Sequence, residues 1–334
     1  MKRLITTIIA LVAFLTFAFF HEQKIATQAA KTPTVGILQL MTHPALDSIH
    51  KGIIAGLKEN GYVVGKNLKI DYQNAQGDQS NLKSMSDRFA NEKVNVMVGI
   101  ATPSAQSLAH VTTKTPIVMG AISDPVGSGL VKSLTNPSNN GNITGTQHIE
   151  PVAQQVKLIK KLMPNLKTIG GIYTSSDDSS TAEFKEFKQL AQKAGIEVKT
   201  YTITSTNDID QVAATMAHEV QAVYVPTDNT VASGIQALLK NTNAAKIPVF
   251  ASVATMVKSG AVATYSVSQY DIGRLTGKLV AQILKGKKPN QMPIQHVTQG
   301  DYAFNLSQAQ RFGINIPQDL IKQAEKKGVI YKWH

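Results

Sequence analysis

The sequence contains no cysteine, which excludes disulfides, thiol catalysis, cysteine-based zinc sites and tethering through a lipidated cysteine. Aromatic residues are scarce, at 6% of the chain, so few side chains could stack on a ring; Tyr72, Tyr173 and Tyr224 are the candidates, and core packing is the competing role for each. Positive charge is abundant but nowhere concentrated. The net charge is +12, yet no basic run is longer than Lys287-Lys288 or Lys326-Lys327. Lysines scattered along helical segments make a solvated surface, not a footprint for nucleic acid. Catalytic signatures are missing as well: there is no G-x-S-x-G and no H-E-x-x-H. Gly61-Tyr62-Val63-Val64-Gly65-Lys66-Asn67 has the look of a phosphate loop, but its spacing is wrong and Asn67 stands where Ser or Thr is required. His43 and His50 lie seven apart on one helical face, a weak metal signal, and His43 reads better as a capping or cleft-lining residue. The expectation is a protein that is not an enzyme, with no cofactor, no metal and no nucleic-acid partner.

What is present is a globular chain. Its 334 residues are 43% apolar and 17% charged, enough to bury two cores of ordinary size. Lys2-Arg3 precede an apolar stretch over 4–20, and polar residues follow. That pattern is either a secretory signal, cleaved near Thr27-Gln28-Ala29, or a retained membrane anchor, and in both cases the rest of the chain is exported. Residues 1–31 are therefore set apart from the fold.

From residue 33 onward short β-branched runs alternate with amphipathic helices. The runs fall at 34–40, 68–72, 94–100, 117–119, 168–173, 196–203, 222–225, 248–250 and 261–265. Between them, 44–60 places Leu46, Ile49, Ile53 and Leu57 on one face, and 270–285 does the same with Ile272, Leu275, Leu279 and Ile283. Nearly continuous apolar strands alternating with helices predict an α/β fold with parallel sheets covered on both faces. Nine or more strands in one twisted sheet would be unusual. The turn-rich cluster Asn136-Pro137-Ser138-Asn139-Asn140-Gly141-Asn142 falls mid-chain, as expected just before a crossover between two lobes.

Ligands of open parallel sheets bind beyond the carboxyl ends of the strands, and the turns there share a chemistry. They read Met41-Thr42-His43-Pro44, Ala101-Thr102-Pro103-Ser104, Ser123-Asp124-Pro125, Thr174-Ser175-Ser176-Asp177-Asp178, Pro226-Thr227-Asp228-Asn229 and Ser252-Val253-Ala254-Thr255. Each of these polar residues could be an N-cap and nothing more. As a set facing one cleft, helix N-termini with hydroxyls suit a carboxylate, and Asp228 or Asp178 suits an ammonium. A free amino acid needs both.

Several stretches together resemble one family, the tryptophan/tyrosine-type substrate-binding proteins of ABC importers. They are Gly56-Leu57-Lys58-Glu59-Asn60-Gly61-Tyr62, Gly65-Lys66-Asn67-Leu68, Ile100-Ala101-Thr102-Pro103-Ser104-Ala105-Gln106, Thr115-Pro116-Ile117-Val118, Asp124-Pro125-Val126-Gly127, Gly129-Leu130-Val131, Gly141-Asn142-Ile143-Thr144-Gly145 and 226–234. The resemblance covers about 33–320. It implies the type I periplasmic-binding-protein fold: two Rossmann-like lobes joined by a three-strand hinge, with the ligand cleft between them. The first lobe is expected to hold 32–147 plus 269–295, and the second 148–268 plus 296–334. Thr102 and Ser104 would hold the ligand carboxylate, and Asp228, with Asn229 beside it, the ammonium. Ser175, Ser176 and Asp178 would complete the second-lobe wall. Thr42, His43, Ala101, Ser123, Asp124, Thr255 and the hinge residue Gln269 complete the candidate set. The implied function is extracytoplasmic capture of an amino acid, aromatic and with tryptophan favoured, by hinge closure. The partners would be ABC permease subunits in the membrane, and the protein a monomer. A ligand-sensing receptor of the same fold is the alternative. A LacI-like regulator would need a helix-turn-helix where 1–32 carry an apolar segment, and a secreted hydrolase would need a nucleophile and base.

Overall fold

The computed structural model describes residues 32–332, together with Thr16; the segment 1–31 read as a signal or anchor otherwise lies outside the described residues. Strands β1 (Thr34–Gln39), β3 (Val96–Ile100) and β4 (Ile117–Ile122) are buried along almost their whole length. They occupy the middle of a six-stranded sheet ordered β11-β5-β4-β3-β1-β2, in which every pairing is parallel. β2 (Lys69–Asn74) closes one edge and is polar and half-exposed, which discourages pairing with other chains. β5 (Ile143–Gln147) and β11 (Gln295–His296) close the other. Helices α1 (Pro44–Glu59), α2 (Gln79–Asn91) and α3 (Thr102–Val111) connect the first four strands.

A second parallel sheet, ordered β7-β6-β8-β9, is built from β6 (Thr168–Thr174), β7 (Glu197–Ile203), β8 (Ala222–Val225) and β9 (Val249–Ala251). Helices α4 (Val152–Leu162), α5 (Asp178–Lys193), α6 (Ile209–Met216), α7 (Asn229–Ser233), α8 (Ile235–Ala244) and α9 (Ala254–Ser259) surround it. Beside it β10 (Ala263–Val267), β12 (Gly300–Asn305) and β13 (Val329–Tyr331) form a three-stranded sheet. The remaining helices are α10 (Gln269–Leu284), α11 (Leu306–Arg311) and α12 (Gln318–Lys327). One apolar core draws on residues between 35 and 143 and again between 279 and 294. The others draw on residues between 152 and 324. The chain crosses between these regions after β5, between β10 and α10, and between β11 and β12.

Two features differ from the sequence expectation. β10 and β12 pair antiparallel, because β12 follows a return from the first sheet and not a helical crossover from its own. β5, β11, β12 and β13 are absent from the apolar runs. β5 reads Ile-Thr-Gly-Thr-Gln, and its buried hydroxyls are satisfied instead of replaced: Thr144 donates to the Met292 carbonyl at 2.8 Å, and Thr146 and Thr276 share a hydrogen bond of 2.8 Å. The two helices read from periodicity fall within one residue of their predicted ends. Among the described residues, no helix is long and apolar enough to cross a membrane.

Helix α10 is held on α1 by glycines on both. A Cβ at Gly52 would fall on the carbonyl oxygen of Tyr270, and one at Gly56 on that of Arg274; on the other side, Gly273 faces the carbonyl of Ile49 and Gly277 that of Ile53. Backbones can approach this closely only where neither helix carries a side chain. Gly52→Ala is therefore expected to push the helices apart and destabilise the protein by about 2–3 kcal/mol, the upper range for overpacking a core. Urea unfolding of the variant checks this, and an unchanged midpoint would refute the close-contact account.

Candidate functional site

Each parallel sheet has a point where the strand order reverses, between β1 and β3 in the first and between β6 and β8 in the second. The turns leaving those four strands carry His43, Ala101-Thr102, Asp177 and Thr227-Asp228-Asn229, and all of them line one cavity between the sheets. Switch points open a crevice because the two outgoing connections diverge to opposite faces. The enclosed part of the cavity leaves about 50 Å³ for the centre of a water molecule. It adjoins an outer vestibule of about 470 Å³, and Thr102, Pro103, Asp177, Ser179 and Asn229 border both.

His43 caps α1: its Nδ1 accepts from the Ala45 N–H at 3.3 Å. That nitrogen therefore carries a lone pair, so the neutral ring bears its proton on Nε2 and donates it to Asn229 Oδ1 at 2.8 Å. Residues from the two sheets are thus bonded directly across the cavity. Burial holds the His43 pKa below its ordinary value, with Asn229, Asp47 and Asp228 acting against it.

Two carboxylates meet on the opposite wall, with different duties. Asp228 is 1% exposed. Its Oδ1 accepts from Val231 N–H and the Thr174 hydroxyl, both at 2.9 Å, and its Oδ2 accepts from Thr174 N–H at 2.6 Å. It caps α7 and ties it to the end of β6. Asp177 caps α5 with Oδ1 alone, accepting from Ser179 N–H at 2.9 Å and Ser180 N–H at 3.1 Å; Oδ2 has no hydrogen-bond partner among the described residues. Desolvation first, then repulsion from Asp228, pushes the Asp177 pKa up to about 6. A carboxylate with one free oxygen, facing a cavity and short of a counter-charge, is suited to receive a cation.

The backbone under the cavity is strained on the other side. Ala101 sits at φ 74° and Ala121 at φ 62°, a region that alanine occupies at a cost of roughly 1 kcal/mol or more. Both line the cavity. Ala101 precedes α3, so the strained turn aims the first N–H groups of that helix across the opening.

Of the residues expected from sequence, His43, Ala101, Thr102, Ser123, Asp228, Asn229 and Gln269 line the inner cavity, and Asp124, Ser176 and Asp178 the vestibule. Four are not brought there. Thr42 is exposed and accepts from Asn74 Nδ2, and Ser175 is exposed with its hydroxyl on the Ile203 carbonyl. Thr255 faces a separate groove, with Ser48, Ser268 and Tyr270. Ser104 is fully buried, its hydroxyl unpartnered, because the third position of α3 turns inward onto the sheet. Asp177, Ser179, Thr227 and His148 were missed. Asp177 could have been found: it is the acid one residue before α5, but it reads as an ordinary cap until Asp228 is seen beside it. His148 follows β5, whose polar sequence hid the strand.

Among the described residues, no Phe, Tyr or Trp lines the inner cavity. Tyr224 stacks on Phe187 with ring centroids 3.6 Å apart, Tyr173 packs against Phe184, and Tyr72 stacks on His50. The walls are aliphatic instead, with Leu46, Ile49, Val253 and Met256. No group of three or more His, Asp or Glu residues among the described residues could hold a metal.

Comparison with known proteins agrees with this architecture. Residues 34–328 match the family described as ABC transporter substrate binding protein. The chain is 35% identical over 279 residues to a tyrosine-binding protein of Clostridioides difficile, covering 84% of this chain and 80% of that protein. Among solved structures, an ABC domain in complex with L-Trp from Streptococcus pneumonia is 42% identical with a TM-score of 0.85, covering 90% of this chain and all of the other. A ligand-free, open substrate-binding protein from Clostridium difficile is 34% identical with a TM-score of 0.69, covering 90% of this chain and 98% of the other. The fold is the type I periplasmic-binding-protein fold.

The raised Asp177 pKa fixes the sign of a stability effect. The folded state holds the proton more tightly than the unfolded one, so this group's contribution to stability is lost as pH rises from about 4 through about 6. Asp177→Asn keeps the cap and removes the charge. The variant should be more stable than the parent at pH 8, by on the order of 1–2 kcal/mol, with the difference vanishing near pH 4. Paired thermal melts at the two pH values test this; a destabilised variant at pH 8 would contradict it.

Proposed function

The chain belongs to the family of ABC transporter substrate-binding proteins, and from that premise we propose that it captures a free aromatic amino acid, tryptophan above all, by closure of two lobes. Proteins of this family bind solutes outside the cytoplasm and are not enzymes. The observation that carries the reading is the pairing of opposite demands at the cavity mouth. Asp177 offers an unpaired carboxylate oxygen, and across the cavity Thr102 offers its hydroxyl and its backbone N–H at the start of α3, where Pro103 has none to give. A zwitterion meets both: its ammonium sits on Asp177, with Asp228 beneath, and its carboxylate on the α3 N-terminus. The side chain then points inward between Leu46, Ile49, Val253 and Met256.

The lobes are 32–147 plus 269–295 and 148–268 plus 296–334, turning about the three crossovers. The arrangement described above is the closed one. The His43–Asn229 bond spans the cleft, and the resemblance to the L-Trp complex, at TM-score 0.85, exceeds that to the open relative, at 0.69. A ligand touching both lobes favours this state by its differential affinity. The closed monomer then delivers its ligand to a membrane permease.

Calorimetric titration of protein unfolded and refolded to strip carried-over ligand is the test, with tryptophan, tyrosine, phenylalanine and leucine as titrants. An aromatic amino acid should bind at micromolar concentration or below. Asp177→Asn should weaken it at least ~30-fold, the lower end of the roughly 2–5 kcal/mol lost when one partner of a buried charge pair is removed. Because the ammonium needs ionised Asp177, affinity should fall as pH drops below about 6 and level off above it. Silence from all four amino acids with a folded sample would sink the reading.

A further inference from the structure

The head group of a ligand held on Asp177 and Thr102 stops at the cavity mouth, but the space does not. Thr102, Pro103, Asp177, Ser179 and Asn229 border both the inner cavity and the vestibule, so such a head group lies on the threshold between them. The vestibule holds about 470 Å³, room for on the order of ten waters and so for one further residue in their place. Both sheets wall it: Gln106 and Asp124 follow β3 and β4 of the first, and Asp178 and Thr204 follow β6 and β7 of the second. The wall on the first side is a built turn. Asp124 Oδ1 accepts from Gly127 N–H at 2.8 Å, the Asp124 carbonyl accepts from Ser128 N–H at 3.0 Å, and Gln106 Nε2 donates to the Ser128 carbonyl at 3.0 Å. A Cβ at Gly127 would fall on the Asp124 carboxylate, so the turn closes only around glycine. A free amino acid confined to the inner cavity and its mouth makes no use of this wall.

We propose that the vestibule is a second subsite, taking an uncharged or basic residue joined to the carboxyl group of the aromatic one, so that the protein binds short peptides with an aromatic N-terminal residue as well as the free amino acid. The proposal rests on the reading that places the ligand ammonium on Asp177 and its carboxylate at Thr102. Extension at the carboxyl carbon keeps the ammonium, and the new peptide carbonyl still accepts from Thr102 N–H. The added residue then enters the vestibule. Extension at the nitrogen converts the ammonium into an amide and leaves Asp177 without its cation. The walls also rank the second residue. Asp124 and Asp178 line the vestibule, and among the described residues no Lys or Arg does, although the chain as a whole carries a net charge of +12. A cleft lined by one sign of charge repels its own sign, so a second residue with a carboxylate is disfavoured and a lysine is favoured.

The experiment compares dissociation constants of the refolded wild-type protein for tryptophan, tryptophylglycinamide, tryptophyl-lysine, tryptophyl-glutamate and glycyltryptophan. Tryptophylglycinamide should bind within about 10-fold of tryptophan, the loss expected when a carboxylate at a helix N-terminus gives way to a neutral carbonyl. Glycyltryptophan, which withdraws the cation from Asp177, should bind at least ~30-fold more weakly than tryptophylglycinamide. At low ionic strength tryptophyl-lysine should exceed tryptophyl-glutamate by about 5-fold or more. Asp124→Asn keeps the oxygen that accepts from Gly127 and removes the charge, so it should narrow that ratio. A loss beyond about 10-fold for tryptophylglycinamide, with tryptophan still bound, would overturn the subsite while leaving amino-acid capture intact. Equal affinities for tryptophylglycinamide and glycyltryptophan would overturn the direction of extension. A lysine-to-glutamate ratio unmoved in folded Asp124→Asn would overturn the role given to the wall. Absence of binding by tryptophan and by every peptide removes the proposed function and the subsite together.

Discussion

The glycine contact between α1 and α10 is the constraint on which the site depends. His43 caps α1 and Gln269 opens α10, so the docking of one helix on the other sets the distance between these two cavity residues. Gly52, Gly56, Gly273 and Gly277 make that docking a matter of backbone on backbone, which leaves little freedom to slide or rotate. The contact also decides which core owns α10. Although β10 belongs with β12 and β13, the helix that follows it contributes Leu279, Val280 and Ile283 to the core of the six-stranded sheet.

Around this rigid frame, the cavity collects groups that are uncomfortable when left alone. Asp177 holds its proton up to about pH 6, chiefly through desolvation. Ala101 and Ala121 hold left-handed backbone. Functional sites concentrate such features because a protein optimised only for stability would remove them. The stable parts lie elsewhere: in the doubly buried strands β1, β3 and β4, and in Asp228, whose carboxylate serves the fold with three hydrogen bonds.

The fold was largely legible in the sequence because its signals are local. Continuous β-branched runs and the 3.6-residue spacing of Leu46, Ile49, Ile53 and Leu57 need no tertiary context. β5 was not legible, since Thr144 and Thr146 are buried only by virtue of partners more than a hundred residues away. The turns of the site were legible for the same reason as the strands, being helix starts rich in Ser, Thr and Asp. Which acid does which job was not. Asp177 and Asp228 both cap helices, and only the placement of Thr174 against Asp228 separates the saturated carboxylate from the one with an oxygen to spare. His148 and Gln269 meet across 121 positions of sequence, beyond the reach of any periodicity.

The hydrogen bond from His43 to Asn229 is made entirely by the protein's own atoms. In the closure proposed above, a clasp that needs no cargo lowers the cost of shutting empty, so shape alone is a poor report of what the cleft contains. In that scheme occupancy is written in time: a vacant molecule reopens once that bond parts, and a filled one only after its passenger also lets go of both walls. Any downstream partner that must avoid futile encounters would do better to read dwell time than silhouette.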